Sequence, residues 1–135
     1  MADDTRSLIA RYYTAFNAGD AAGMLACVTD DVEHRVNEAG IRRGRAAFAE
    51  FCGHMGVSYR EALHDFVIFS ADDGRRAAAE FVVKGVYLQT DPGLPAATGQ
   101  SYVLSAGAFF DLREGKICRI STFYNLADWI RQVSA

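Results

Sequence analysis

"RRAAAEFVVKGVYLQT", residues 75–90, decides the fold. Its period is two, the repeat of a pleated strand. Phe81, Val83, Gly85 and Tyr87 fall on one face, and Glu80 and Lys84 on the other. The stretch before it, "REALHDFVIFS" (60–70), is also strand-like, and the intervening "ADDG" (71–74) is a hairpin turn signal. Downstream, "QSYVLSAGAFFDL" (100–112) and "KICRISTFY" (116–124) flank the turn "REG" (113–115). The connection "TDPGLPAATG" (90–99) holds both prolines. The chain therefore contains four long strands joined mainly by hairpins.

Upstream the period changes to that of a helix. In "DDTRSLIARYYTAFNAG" (3–19) Leu8, Tyr12, Ala15 and Phe16 share a face, and Gly19 closes the element. Asp20 is placed to cap a short second helix running to about Val28. A strand follows in "TDDVEHRVNEAG" (29–40), with Asp31, Glu33, Arg35 and Asn37 on one face and Val32, His34 and Val36 on the other. A third helix, roughly Arg45 to Met55, lays Phe48, Phe51, Cys52 and Met55 along one side. Asn125 precedes a short terminal helix, "LADWIRQV". Helices segregated from an antiparallel sheet make one α+β domain spanning 1–135.

Composition bounds the function. The net charge of −3 argues against a nucleic-acid partner, which needs a concentrated basic surface. Arg42, Arg43 and Arg45 read as a solvated face at a helix start. Three widely spaced cysteines suit reduced thiols in a cytoplasmic protein rather than a disulfide framework. No apolar run approaches the roughly 20 residues of a membrane span. His54 and His64 lack ligand-spaced partners, so neither a metal nor another cofactor is expected. Two strands, "AAAEFVVKGVYL" and "YVLSAGAFFDL", are apolar on both faces, more than an antiparallel sheet with one wet face requires. A homodimer through the outer sheet face is the expectation.

Several strings, in order, resemble the NTF2-like superfamily and within it the SnoaL-like and ketosteroid-isomerase-related proteins. They are "ARYYTAFNAGD" (10–20), "LACVTDDVEHRVN" (25–37), "GRAAFAEF" (44–51) and "FYNLADWIRQV" (123–133). The resemblance implies a cone, a curved mixed or antiparallel sheet wrapped around three helices, with an apolar pocket for a small organic ligand. It implies that Tyr12 matches the isomerase's oxyanion tyrosine. The isomerase base falls on Val36 and its second acid near Gly107, and neither residue can move a proton. A conventional ketosteroid isomerase is therefore excluded.

His34 shares the face of Val36 and supplies a group able to act as acid or base. Tyr12 and His34 are the candidate catalytic pair, and Val36, Phe51, Cys52, Phe81, Gly107, Tyr124 and Trp129 the candidate ligand wall. Glu80 and Lys84, about 13 Å apart at 3.3 Å per residue, belong to the outer sheet, although the opposite register would make Glu80 the missing base. The chemistry these residues allow is a cofactor-free isomerase, dehydratase, cyclase or hydrolase. The alternative is a ligand-binding protein without chemistry, or a dimerisation module.

Overall fold

The computed structural model describes residues 1–134. In chain order it contains α1 (Ala2–Asn17), α2 (Ala21–Leu25), β1 (Val28–Val36), β2 (Arg42–Arg43), α3 (Arg45–Ser58), β3 (Tyr59–Ser70), β4 (Arg76–Tyr87), β5 (Ser101–Arg113), β6 (Lys116–Tyr124) and α4 (Leu126–Ser134). The strands form one curved six-stranded sheet of order β2-β1-β6-β5-β4-β3. All neighbours are antiparallel except β1 and β6, which run parallel. This is the expected α+β cone with a short C-terminal helix.

The alternation read from β4 holds along its whole length. Ala77, Ala79, Phe81, Val83, Gly85 and Tyr87 are buried, while Glu80 and Lys84 are exposed on the outer face. The same alternation on β5 buries Tyr102, Leu104, Ala106, Ala108 and Phe110. Across the interior, α1 answers with Leu8, Ile9, Tyr12 and Tyr13. Full burial of each large apolar side chain contributes about 1.5–3 kcal/mol relative to leaving it in water. The Asn17 side chain closes the cone by mimicking a strand, donating to the Leu63 carbonyl at 3.0 Å and accepting from its N–H at 2.8 Å.

Capping follows the sequence. Asp20 accepts from the Gly23 N–H and Asn125 from the Asp128 N–H. Two boundaries differ from expectation. The second helix stops at Leu25, and Val28, fully buried, already begins β1 and pairs with Ile117. Arg42 and Arg43 are not a solvated helix start: they form β2, opposite His34 and Glu33. Asn37 also leaves the face assigned to it. Just past the end of β1, at φ 52°, it turns inward to accept the Tyr124 N–H.

Gly85 marks a crossing of two side chains. It pairs with Glu61 on β3 and with Tyr102 on β5. The Tyr102 ring lies over the space a Cβ would occupy at Gly85, and its hydroxyl reaches Glu61 Oε2 at 2.5 Å. Tyr102 is 2% exposed and packed against Trp129, so it has little room to yield. Gly85→Ala is expected to cost about 1–3 kcal/mol by overpacking, read from urea unfolding. The same change in a Tyr102→Leu background should cost far less. Equal costs in both backgrounds would remove the crossing as the reason for glycine.

Candidate functional site

The alternation that builds the core also leaves a cavity of about 440 Å³ inside the cone, within the usual range for small-molecule sites. Its wall draws on every main element. Tyr12 and Phe16 come from α1, His34 and Val36 from β1, and Phe51 and Met55 from α3. Phe81, Leu104 and Thr122 come from the sheet floor, Tyr124 from the end of β6 and Trp129 from α4.

Seven of the nine residues chosen from sequence meet here: Tyr12, His34, Val36, Phe51, Phe81, Tyr124 and Trp129. Two do not. Gly107 lies between the inward-facing Ala106 and Ala108 and opposite Glu80 and Phe123, so the pleat sets it on the outer face. Cys52 follows Phe51 by one residue, a rotation of about 100° around the helix, which takes it off the cavity wall that Phe51 and Met55 share. Burial raises the Cys52 thiol pKa, the wrong direction for a nucleophile.

His34 is 3% exposed, and its imidazole packs against the rings of Phe48 and Phe51 at 4.9 and 4.4 Å. Nδ1 is buried and has no hydrogen-bond partner among the described residues. Burial first, and then the nearby Arg42 charge, lower its pKa to about 4. It is therefore neutral at pH 7. Tyr12 also stacks on Phe48, at 6.4 Å, and its hydroxyl makes no hydrogen bond among the described residues. Burial pushes its pKa well up, so it remains a donor rather than a phenolate. No hydrogen bond joins Tyr12 to His34.

Three polar groups escaped sequence reasoning. Arg42 enters the wall through β2, its guanidinium 4.5 Å from the centre of the Phe51 ring. Its Nη1 is buried without a partner, an omission that costs about 1–3 kcal/mol. Only the turn "NEAG" before it could have signalled a hairpin that returns these arginines to β1. Glu61 also lines the cavity, and burial raises its carboxyl pKa although the bond from Tyr102 opposes this. Strand alternation with the inward Leu63 was the available signal.

The third group is Asp91, in the proline-containing connection. It accepts from the Tyr59 hydroxyl at 2.7 Å and lies 3.1 Å from His54 Nε2. Leu94 of the same loop reaches the wall. Tyr87 completes the anchorage by accepting from the Asp91 N–H and donating to the Pro95 carbonyl.

Among the described residues no group of three or more His, Cys, Asp or Glu is arranged to hold a metal, and no helix is long and apolar enough to cross a membrane. The arrangement is an apolar chamber containing a neutral imidazole, a phenol, a carboxyl with raised pKa and an unpaired guanidinium N–H. Such a set can take a proton from carbon and give one to oxygen without a cofactor.

Comparison with solved structures gives close matches along the whole chain. A candidate polyketide cyclase from Silicibacter sp. TM1040 is 58% identical, with TM-score 0.96, over 99% of this chain and 98% of that one. Another from Xanthomonas campestris pv. campestris is 51% identical, with TM-score 0.95, covering 98% of each. A third, from Pseudomonas putida KT2440, is 50% identical, with TM-score 0.94, over 96% and 97%. No curated protein matches. The SnoaL-like domain matches residues 9–120, and with that span of agreement the chain belongs to the SnoaL-like family of NTF2-like proteins.

Proposed function

We propose that the protein is a cofactor-independent cyclase or isomerase acting on a small, largely apolar carbonyl compound. The observation that carries this reading is the neutral, unpaired His34 imidazole on the wall of an apolar cavity that also holds the Tyr12 hydroxyl. His34 takes the proton from a carbon next to a carbonyl, and Tyr12 donates to the oxygen as it becomes an enolate. In a cyclase the enolate carbon then attacks a second carbonyl of the same molecule, and the new alkoxide is protonated.

A base with a pKa near 4 is adequate for this work. The aspartate base of ketosteroid isomerase has a pKa of about 4.6 and removes a proton of the same kind. The likeness to candidate polyketide cyclases supports a substrate with several carbonyls in one chain. The unpaired thiols of Cys27, Cys52 and Cys118 support a cytoplasmic setting.

The reading extends to assembly. Val67, Phe69, Val103, Phe109 and Phe123 stand on the outer sheet face at 42–55% exposure, and Phe109 and Phe123 meet edge to face. So many exposed apolar groups on one face support a homodimer packed through it. Phe109→Glu should shift the sedimentation coefficient from dimer to monomer, and a monomeric wild type would sink this part.

The chemistry is tested by turnover of poly-carbonyl compounds with wild type, His34→Gln and Tyr12→Phe. Loss of general-base catalysis should lower kcat by about 10²–10⁴-fold in His34→Gln. Turnover that survives both changes would refute the assignment. A protein that binds these compounds and converts none would be a binding protein.

The protonation state of His34 has its own test. The unfolded imidazole titrates near 6.5 and the folded one near 4, so between those values only the unfolded chain holds the proton. Stability is therefore highest above pH 6.5 and falls as pH drops towards 4, by roughly 3 kcal/mol from this group. Urea unfolding of wild type against His34→Gln across that window should show this component vanish in the variant.

A further inference from the structure

We infer that the cavity binds a ligand bearing one negatively charged oxygen group, a carboxylate or an ionised enol, seated on Arg42 beside His34. This names a substrate class within the proposed function and rests on that reading.

The three arginines of "RRGR" make the case by contrast. Arg43 is paired with Glu33. Arg45 leaves its buried Nε without a partner but holds Asp30 at 2.7 Å and the carbonyls of Leu25 and Val28. Arg42 has no carboxylate and no hydrogen-bond partner among the described residues, and its Nη1 is buried. It is nevertheless held in place. Its backbone is fixed opposite His34, and its guanidinium packs on the Phe51 ring. A fixed cation with an unmade, desolvated N–H on a cavity wall is a half-built anion site.

The other groups on that wall limit the charge of the occupant. Besides Arg42 and His34, the charged or titratable side chains there are Glu38, His54, Glu61 and Asp91, with Tyr12, Tyr13, Tyr59 and Tyr124. Asp91 is engaged by Tyr59 and His54, and Glu61 accepts from Tyr102. Among the described residues no lysine and no second arginine reaches the wall, so a single negative charge matches the site and a dianion does not. The rest of the wall is aromatic and aliphatic, which suits the hydrocarbon body of an organic acid.

Placement beside His34 adds a chemical consequence. Arg42 is the charge that helps to hold the imidazole pKa down. An anion on Arg42 offsets that field, so His34 becomes a better base only when such a ligand is seated.

The test uses three matched pairs of aromatic acids and their primary amides: benzoate, 2-naphthoate and 2-anthroate with the corresponding carboxamides. Dissociation constants are measured near neutral pH by calorimetry for wild type, Arg42→Gln and Arg42→Lys, and the His34 ring resonances are followed by NMR. Wild type should bind at least one acid about tenfold more tightly than its amide, and that acid should raise the His34 pKa. In Arg42→Gln the ratio should fall to about one while the amide affinity stays within about threefold, which also shows that the cavity remains folded.

If Arg42→Gln does not fold, Arg42→Lys carries the comparison, and its ratio should fall at least several-fold because the planar fork is lost. Equal binding of acid and amide to wild type overturns the anion site and leaves the proposed chemistry standing. Failure of every compound to bind wild type overturns the anion site, and turnover of poly-carbonyl compounds decides the proposed chemistry separately.

Discussion

The parallel pairing of β1 with β6 is the joint on which the rest of the molecule depends. A parallel neighbour cannot be made by a hairpin, so the chain must travel through α3 and three further strands before β6 returns beside β1. That return sets His34 between Arg42 on one side and Ile120 on the other. It also brings the end of β6 to Asn37, whose side chain fastens the Tyr124 backbone. This pairing positions His34 and Asn37 at the β1 end of the cavity, and the antiparallel pairing of β2 with β1 positions Arg42. Helix α3 then covers it, and Phe48 and Phe51 close over the imidazole.

A second row of contacts runs across the other half of the sheet. Glu61, Gly85 and Tyr102 occupy three adjacent strands, and the missing side chain in the middle lets the outer two meet. The two halves differ in an instructive way. On the β1 side His34 Nδ1 and Arg42 Nη1 are buried without partners, whereas on the β3 side the Glu61 carboxyl is already engaged. An unpaired buried group costs folding free energy that a paired one does not.

The sequence disclosed what short-range periodicity can encode. Alternation in β4 placed Glu80 and Lys84 outside and Phe81 inside, and alternation in β1 turned His34 inward with Val36. Caps at Asp20 and Asn125 were legible because they act within one turn. What was lost depends on partners far away in the chain. A two-residue strand such as β2 has no period to detect, so Arg42 was read with its solvated neighbours. The need for glycine at position 85 was not legible because its reason, the Tyr102 ring, arrives from another strand. Gly107 was assigned inward by analogy with a carboxylate, yet its own neighbours Ala106 and Ala108 take the inward positions.

The loop after β4 carries a consequence for how such a protein changes over time. It begins and ends where the Tyr87 backbone pairs with Gln100 and Gly99, and inside that base it is held to itself by Thr90 and to the chamber by Asp91 and Leu94. None of its central residues belongs to the sheet. Its length and side chains can therefore drift without disturbing His34 or the β1 joint. Two descendants of one ancestor could keep the same β1 wall and differ in this loop, so that one stretch of the cavity lining varies independently of the other.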